Sequence, residues 1–195
     1  MDQAWDPTRG RQVIAEAAVH LVATHGLEGV SVRKVATQAG VSAGLVQHHF
    51  PTKQALLLAA MHQVDAAVQA RLEPLVSDRR SASARLRALA LEILPLDETR
   101  ATEARVWLAF IAAAPADPAI TQAHAATWQE LAEILTRLLT HHHGSDQPEL
   151  DRATLLLAGL DGLAVTALAE PQRLPPPRLL ALAEQLIGQA LSPDS

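Results

Sequence analysis

Apolar residues recur along this chain at intervals of three and four, the spacing that places them on one face of a helix. Val13, Ile14, Ala17, Ala18, Leu21 and Val22 make one such stripe between residues 8 and 25, and Gly26 stands where a helix stops. Val32, Val35, Ala36 and Ala39 make a second, shorter one, with Ser31 before it as N-cap and Gly40 closing it. Ser42 can cap a third helix that runs to about Phe50, where Pro51 interrupts. Thr52 caps a fourth, which carries Leu56, Leu57, Ala60, Met61, Val64, Val68 and Leu72 and ends near Pro74. Beyond a polar loop over 77–83, Ala/Leu-rich stretches predict helices at roughly 82–94, 99–113, 118–141, 149–169 and 176–191. Pro95 and the segments 114–118, 143–148 and 170–177 break them apart. The pattern therefore predicts an all-α protein of about nine helices with no internal repeat.

Composition points the same way. The hydrophobic fraction of 49% is rich in Ala and Leu and contains no Tyr, which favours helices over strands. With no cysteine, a disulfide framework and a thiolate metal site are both excluded, and a reducing cytoplasm is the expected location. The first twenty-odd residues carry Asp2, Asp6 and Glu16 and lack the apolar core of a secretory leader. No later stretch of about 18 residues is free of both charge and proline, so no membrane span is expected. Net charge is −5, but residues 1–53 hold five basic residues against four acidic ones, so the negative charge lies in the remainder. That split suits a localised anionic partner of the N-terminal segment.

The chemistry of that segment follows from its spacing. Two short helices joined by a glycine turn need a third to bury their inner sides. Ala36 keeps the second helix thin where the third crosses it, Gly40 supplies a positive φ, and Val35, Val41 and Val46 fill the gap. Leu45, Val46 and His49 then share the inward side of the third helix, which leaves Ala43, Gly44, Gln47 and His48 outward. Small residues let a backbone approach base edges in a major groove. Gln47 can pair with adenine N6 and N7, and His48 can reach a guanine N7 or a phosphate. Ser31, Arg33, Ser42, Thr52 and Lys53 sit at helix starts, where hydroxyls, cations and the helix dipole attract phosphates. The expected partner is double-stranded DNA, with the first group reading bases and the second holding the backbone.

The segment "SVRKVATQAGVSAGLVQHHFPTKQALL", residues 31–57, resembles the DNA-binding signature of the TetR family of transcriptional regulators. Ala36, Ala39, Gly40, Val41, Ser42, Gly44, His49, Phe50, Lys53 and Leu56 stand at matching positions. Gln47 departs from the pattern, where the family commonly has a backbone-contacting tyrosine. Residues 96–114 and 155–171 are similar to the BetI-type branch. The resemblance implies a helix-turn-helix head over residues 1–52 and a larger helical effector-binding and dimerisation domain over 53–195. It also implies a homodimer whose last two helices pair with their counterparts, a palindromic operator, and a small-molecule effector that releases a repressor from it.

Other residues carry competing readings. Trp107, Phe110 and Trp128 are the main aromatic mass of the larger domain and can serve as core or as the lining of an effector pocket. Leu156, Leu160, Leu163, Leu182 and Leu186 belong to stripes more apolar than a lone surface should expose, which suits a dimer interface. Asp161 interrupts such a stripe and can be an interface hydrogen-bonder or a pocket anchor. The run His141-His142-His143 invites a metal, but neighbouring side chains at a helix end diverge by about 100° and do not converge on one ion. No metal and no cofactor is expected. No nucleophile, carboxylate pair or phosphate loop stands in a recognisable setting, so an enzyme is not expected either. The alternative is a dimeric helical adaptor with a vestigial DNA-binding head.

Overall fold

The computed structural model describes residues 7–77 and 79–193, with side chains from residue 9 onward; Asp2 and Asp6, counted above, lie outside them. Among the described residues there are nine α-helices and no strand. They are α1 (Pro7–His25), α2 (Val32–Ala39), α3 (Ala43–His49), α4 (Lys53–Val76), α5 (Ala82–Glu92), α6 (Glu98–Ala113), α7 (Pro118–His143), α8 (Leu150–Ala169) and α9 (Pro176–Leu191). A short 3-10 turn over Ala114–Ala116 joins α6 to α7. The described residues divide into two compact units, one formed by residues up to 67 with 105–123, the other by 68–104 with those from 124 onward. The division expected at 52/53 falls at the first turn of α4, a helix that belongs to the first unit up to Ala67 and to the second from Val68.

In the first unit, the apolar stripe of α1 is buried through Ile14, Ala18, Leu21 and Val22, and Val35, Val46, Phe50, Leu56 and Met61 are buried with it. The link from α1 to α2 turns at Gly26, in the left-handed region at φ +66°. A Cβ built at Gly29 would stand 2.6 Å from the carbonyl oxygen of His25, so the link closes too tightly there for any side chain. Asp117 caps α7 by accepting from the N–H groups of Ala119 and Ile120 at 2.9 and 3.3 Å. The same carboxylate accepts from the side-chain amide of Gln54 at 3.2 Å, which ties the start of α4 to the start of α7.

The second unit is a leucine-rich bundle built on Leu72, Leu86, Leu135, Leu139, Leu156 and Leu179. α8 runs along α9, with Leu186 seated where Gly159 leaves room; a Cβ at 159 would lie 2.5 Å from its Cδ2. Arg71 of α4 donates to both carboxylate oxygens of Glu103 on α6, at 2.9 and 2.5 Å, and through Nε to Glu92 of α5 at 2.6 Å. Hydrogen bonds to these acceptors, Glu103 foremost, raise the guanidinium pKa against the opposing effect of burial. Pro74 does not end α4, which continues to Val76. The ring sits in the last turn, where only its own missing bond is lost; the Glu73 carbonyl accepts from both the N–H and the Oγ of Ser77, and the Arg85 guanidinium bonds to the carbonyl of Val76.

Candidate nucleic-acid interface

Seven- and eight-residue helices do not hold themselves in water, so α2 and α3 depend on caps and on packing. Ser31 is extended (φ −144°, ψ 156°), and its Oγ accepts from the Lys34 N–H at 3.3 Å. At the other end Gly40 takes φ +67°, its N–H bonding to the carbonyl of Thr37 at 3.3 Å while the Val41 N–H bonds to that of Ala36 at 3.0 Å. This pair of bonds terminates α2 and turns the chain. Ser42 starts α3, its Oγ accepting from the Leu45 N–H at 3.1 Å. Val35 and Val46 are fully buried and Ala36 nearly so, which seats α3 across α2.

That seating leaves Gly44, Gln47 and His48 exposed and Ala43 half-exposed. Gly44 is informative because the protein itself has space there: a Cβ would find only Ser42 Oγ, at 3.9 Å. A helical glycine costs up to about 1 kcal/mol relative to alanine, and no close packing requires it here. Around this outward side stand exposed polar groups. Arg33 has no ion pair among the described residues. Lys34 Nζ donates to the carbonyl of Gly29 at 3.0 Å. Thr52 Oγ1 accepts from the Ala55 N–H at 3.0 Å, capping α4. Lys53 lies 3.8 Å from the fully exposed Glu28, a surface pair too weak to hold it. The outward side of α3 thus carries an amide and an imidazole, with hydroxyls and cations at the starts of α2 and α4, groups of the kind that can pair with base edges and phosphates.

His49 is half-buried with its ring against its neighbours, but its Nε2 is buried with no hydrogen-bond partner. The sequence reading missed Arg11. Its Nη1 donates to the carbonyl of His49 at 3.4 Å, and its Cζ lies 4.6 Å from the centre of the Phe50 ring. Nothing local in the sequence signals that contact, which joins residues 38 positions apart.

Residues 14–60 match the model of bacterial regulatory proteins of the tetR family, and residues 82–192 match that of the BetI-type transcriptional repressor C-terminal domain. The chain belongs to the TetR family. Among its TetR-family relatives, the transcriptional regulator BetI of Cronobacter sakazakii is 30% identical over 95% of this chain and 92% of its own length. A transcriptional regulator from Rhodococcus sp. Rha1 is 37% identical and superposes with a TM-score of 0.84 over 93% of this chain and 95% of its own. A regulator from Saccharomonospora viridis, solved in complex with choline, shares the fold with a TM-score of 0.86 at 23% identity, over 93% of this chain and 96% of its own.

The remaining candidate residues of this TetR-family chain fall out as follows. Trp107 and Phe110 belong to the first unit and Trp128 to the second. Phe110 is 0% exposed and offers no surface to a ligand in this conformation, whereas Trp107 and Trp128 are half-buried. The indole N–H of Trp128 donates to Asp161 Oδ2 at 3.1 Å. Of the expected interface residues, Leu156 and Leu160 are 1% and 0% exposed and lie in the core of the second unit. The free side of α8 is carried instead by Leu155, Ala158, Gly162 and Val165, with Leu155 72% exposed. Leu163, Leu182 and Leu186 are half-buried against the same core. α8 is long and apolar enough to cross a membrane by length and composition, but its inner side is committed to this core. His142 Nε2 lies 3.1 Å from the carbonyl of Leu191, and His143 Nδ1 lies 3.4 Å from Glu149 Oε1. Among the described residues no group of three or more His, Asp or Glu side chains is arranged to hold a metal ion.

Proposed function

We propose that this TetR-family regulator is a repressor that binds a two-fold operator as a homodimer and leaves it when a small-molecule effector binds. The observation that carries the reading is the outward set Ala43, Gly44, Gln47 and His48, held on a capped, valine-backed helix and flanked by Arg33, Thr52 and Lys53. Gln47 and His48 read bases; Ser31, Arg33, Ser42, Thr52 and Lys53 hold phosphates. A second copy covers the apolar strip of α8, so that α8 and α9 of both protomers form a four-helix interface and present two recognition helices to successive major grooves. The protein works in the cytoplasm, where the chromosome is.

The effector is a small organic cation. Asp161 is a half-buried carboxylate whose bonded neighbour is a neutral indole rather than a cation. An aromatic ring beside an uncompensated carboxylate suits an ammonium group, and the Saccharomonospora viridis regulator holds choline. Effector binding biases α4, the helix shared by both units, and moves the recognition helices out of register with the grooves.

The test is selection of bound duplexes from a random pool, followed by gel shifts at several salt concentrations with and without choline and related amines. A two-fold consensus, salt-dependent affinity and release by a cation are expected. Binding of cation and operator with no mutual effect overturns the coupling. Absence of any salt-dependent specific binding favours the adaptor reading.

A further inference from the structure

We propose that Arg11 is a positioning residue that sets the specificity of the recognition helix by holding a row of three rings, Phe50, His49 and His48, in one orientation. The inference rests on the operator reading above and deepens it. α3 is fixed at its start by the Ser42 cap and at its middle by buried Val46, but beyond Phe50 the chain leaves for α4. At that end the Phe50 N–H bonds to the Val46 carbonyl at 2.8 Å, the Phe50 ring is buried, and Arg11 adds two contacts. Its Nη1 reaches the His49 carbonyl at 3.4 Å, placing a cation where the carbonyl ends of α3 gather partial negative charge. Its guanidinium covers the face of Phe50, with Cζ 4.6 Å from the ring centre, as a cation–π contact requires.

The rings then run outward in sequence. Phe50 is buried, and its ring centre lies 6.4 Å from that of His49 at 50°. His49 is half-buried and meets His48 edge-on, at 5.3 Å and 72°. His48 is exposed on the outward side of α3. Each ring limits the rotamers of the next, so the guanidinium on Phe50 constrains the exposed imidazole of His48. Arg11 is exposed on α1, a helix whose inner side is held by buried Ile14 and Ala15, and no carboxylate pairs with it among the described residues. It also precedes the residues matched to the tetR family model, which begin at Ile14.

Arg11→Met keeps the length of the side chain and removes charge and plane; Arg11→Lys keeps the charge and removes the plane. Both variants, checked for folding by circular dichroism, are titrated with the selected operator and with a scrambled duplex at several salt concentrations. A positioning role predicts about tenfold weaker operator binding for both, little change on the scrambled duplex, and an unchanged salt slope. A direct phosphate contact predicts that Arg11→Lys binds as wild type and that Arg11→Met lowers the slope by about one on every duplex; that result overturns the proposal. In the free protein, the His48 and His49 ring resonances are expected to shift in both variants, and unchanged resonances overturn it without reference to DNA. A wild-type protein with no sequence preference defeats the operator reading itself, a failure read from the unmutated control, while the ring resonances still decide whether Arg11 holds the row.

Discussion

Trp128 on α7 and Asp161 on α8 are joined by an indole N–H donated to a carboxylate across 3.1 Å. Burial holds the Asp161 carboxyl above the usual carboxylate range, and the Trp128 hydrogen bond opposes that shift without cancelling it. Between the unfolded value, near 3.8, and the raised folded one, the folded state binds a proton that the unfolded chain has released. Stability therefore falls as pH rises through that interval and stays lowered above it. Asp161→Asn keeps an acceptor for the indole and removes the charge. The variant should melt higher than wild type at pH 7, with the difference vanishing as pH approaches 3.8. Thermal melts across that range check it, and a neutral-pH loss of Tm would count against burial as the cause. In effector titrations the same variant should lose affinity for cations, because the attracting charge is gone.

Gly44 separates stability from function. Its added Cβ meets nothing nearer than Ser42 Oγ at 3.9 Å, so Gly44→Ala should stabilise the head by up to about 1 kcal/mol through helix propensity. If the missing side chain exists to admit a base edge, the same methyl should weaken operator binding by about tenfold or more. Denaturant unfolding and gel shifts on one preparation give both numbers. A variant that is more stable and binds unimpaired would show that close approach at this position is not needed.

Gln47 and Lys53 should fail differently. Gln47 is exposed on the outward side of α3 and Lys53 opens α4 at the flank. Gln47→Ala should cost about 1–3 kcal/mol on the selected operator and little on mismatched duplexes, relaxing preference at one base position. Lys53→Ala should weaken all duplexes alike and lower the salt slope by about one. The Glu28 pair contributes little to Lys53, since Glu28 is fully exposed at 3.8 Å. Equal losses for Gln47→Ala on matched and mismatched duplexes would remove its base-reading role.

The helix-turn-helix was legible because its determinants are local. A serine three residues before a free N–H, or a glycine where φ must be positive, acts within one turn of chain, so Ser31, Gly40, Ser42 and Thr52 do in the structure what their positions imply. The end of α4 was legible as well, since the helix stops at Val76, close to Pro74. The inner side of α8 was legible as a stripe, Ala153, Leu156, Leu157 and Leu160 at three- and four-residue spacing, but not whether that stripe meets its own core or a second copy. Leu155, Leu156 and Leu157 are consecutive and equally apolar; the second and third turn inward with Ala153 and Leu160, and Leu155 is left outside. The Trp128–Asp161 bond and the hold of Arg11 on His49 span 33 and 38 positions, a range at which no local pattern speaks.

Leu155 and Leu156 turn that ambiguity into an experiment. Leu156 is 1% exposed within the chain, so Leu156→Ala should destabilise the fold by about 2–5 kcal/mol through a lost side chain and the cavity left behind. Leu155 is 72% exposed, and a charge there disturbs nothing inside the chain. If the strip from Leu155 to Val165 is where a second copy docks, Leu155→Glu and Val165→Glu each bury an unpaired carboxylate at the interface and should shift the protein towards monomer. Sedimentation or light scattering across a concentration series should show the mass halving, with helical content retained. Operator affinity should fall with it, because a single head reaches only one half-site. Tm should become independent of concentration in the glutamate variants, since dissociation no longer precedes unfolding. Dimers of undiminished affinity in both glutamate variants would place the contact on another face of the chain.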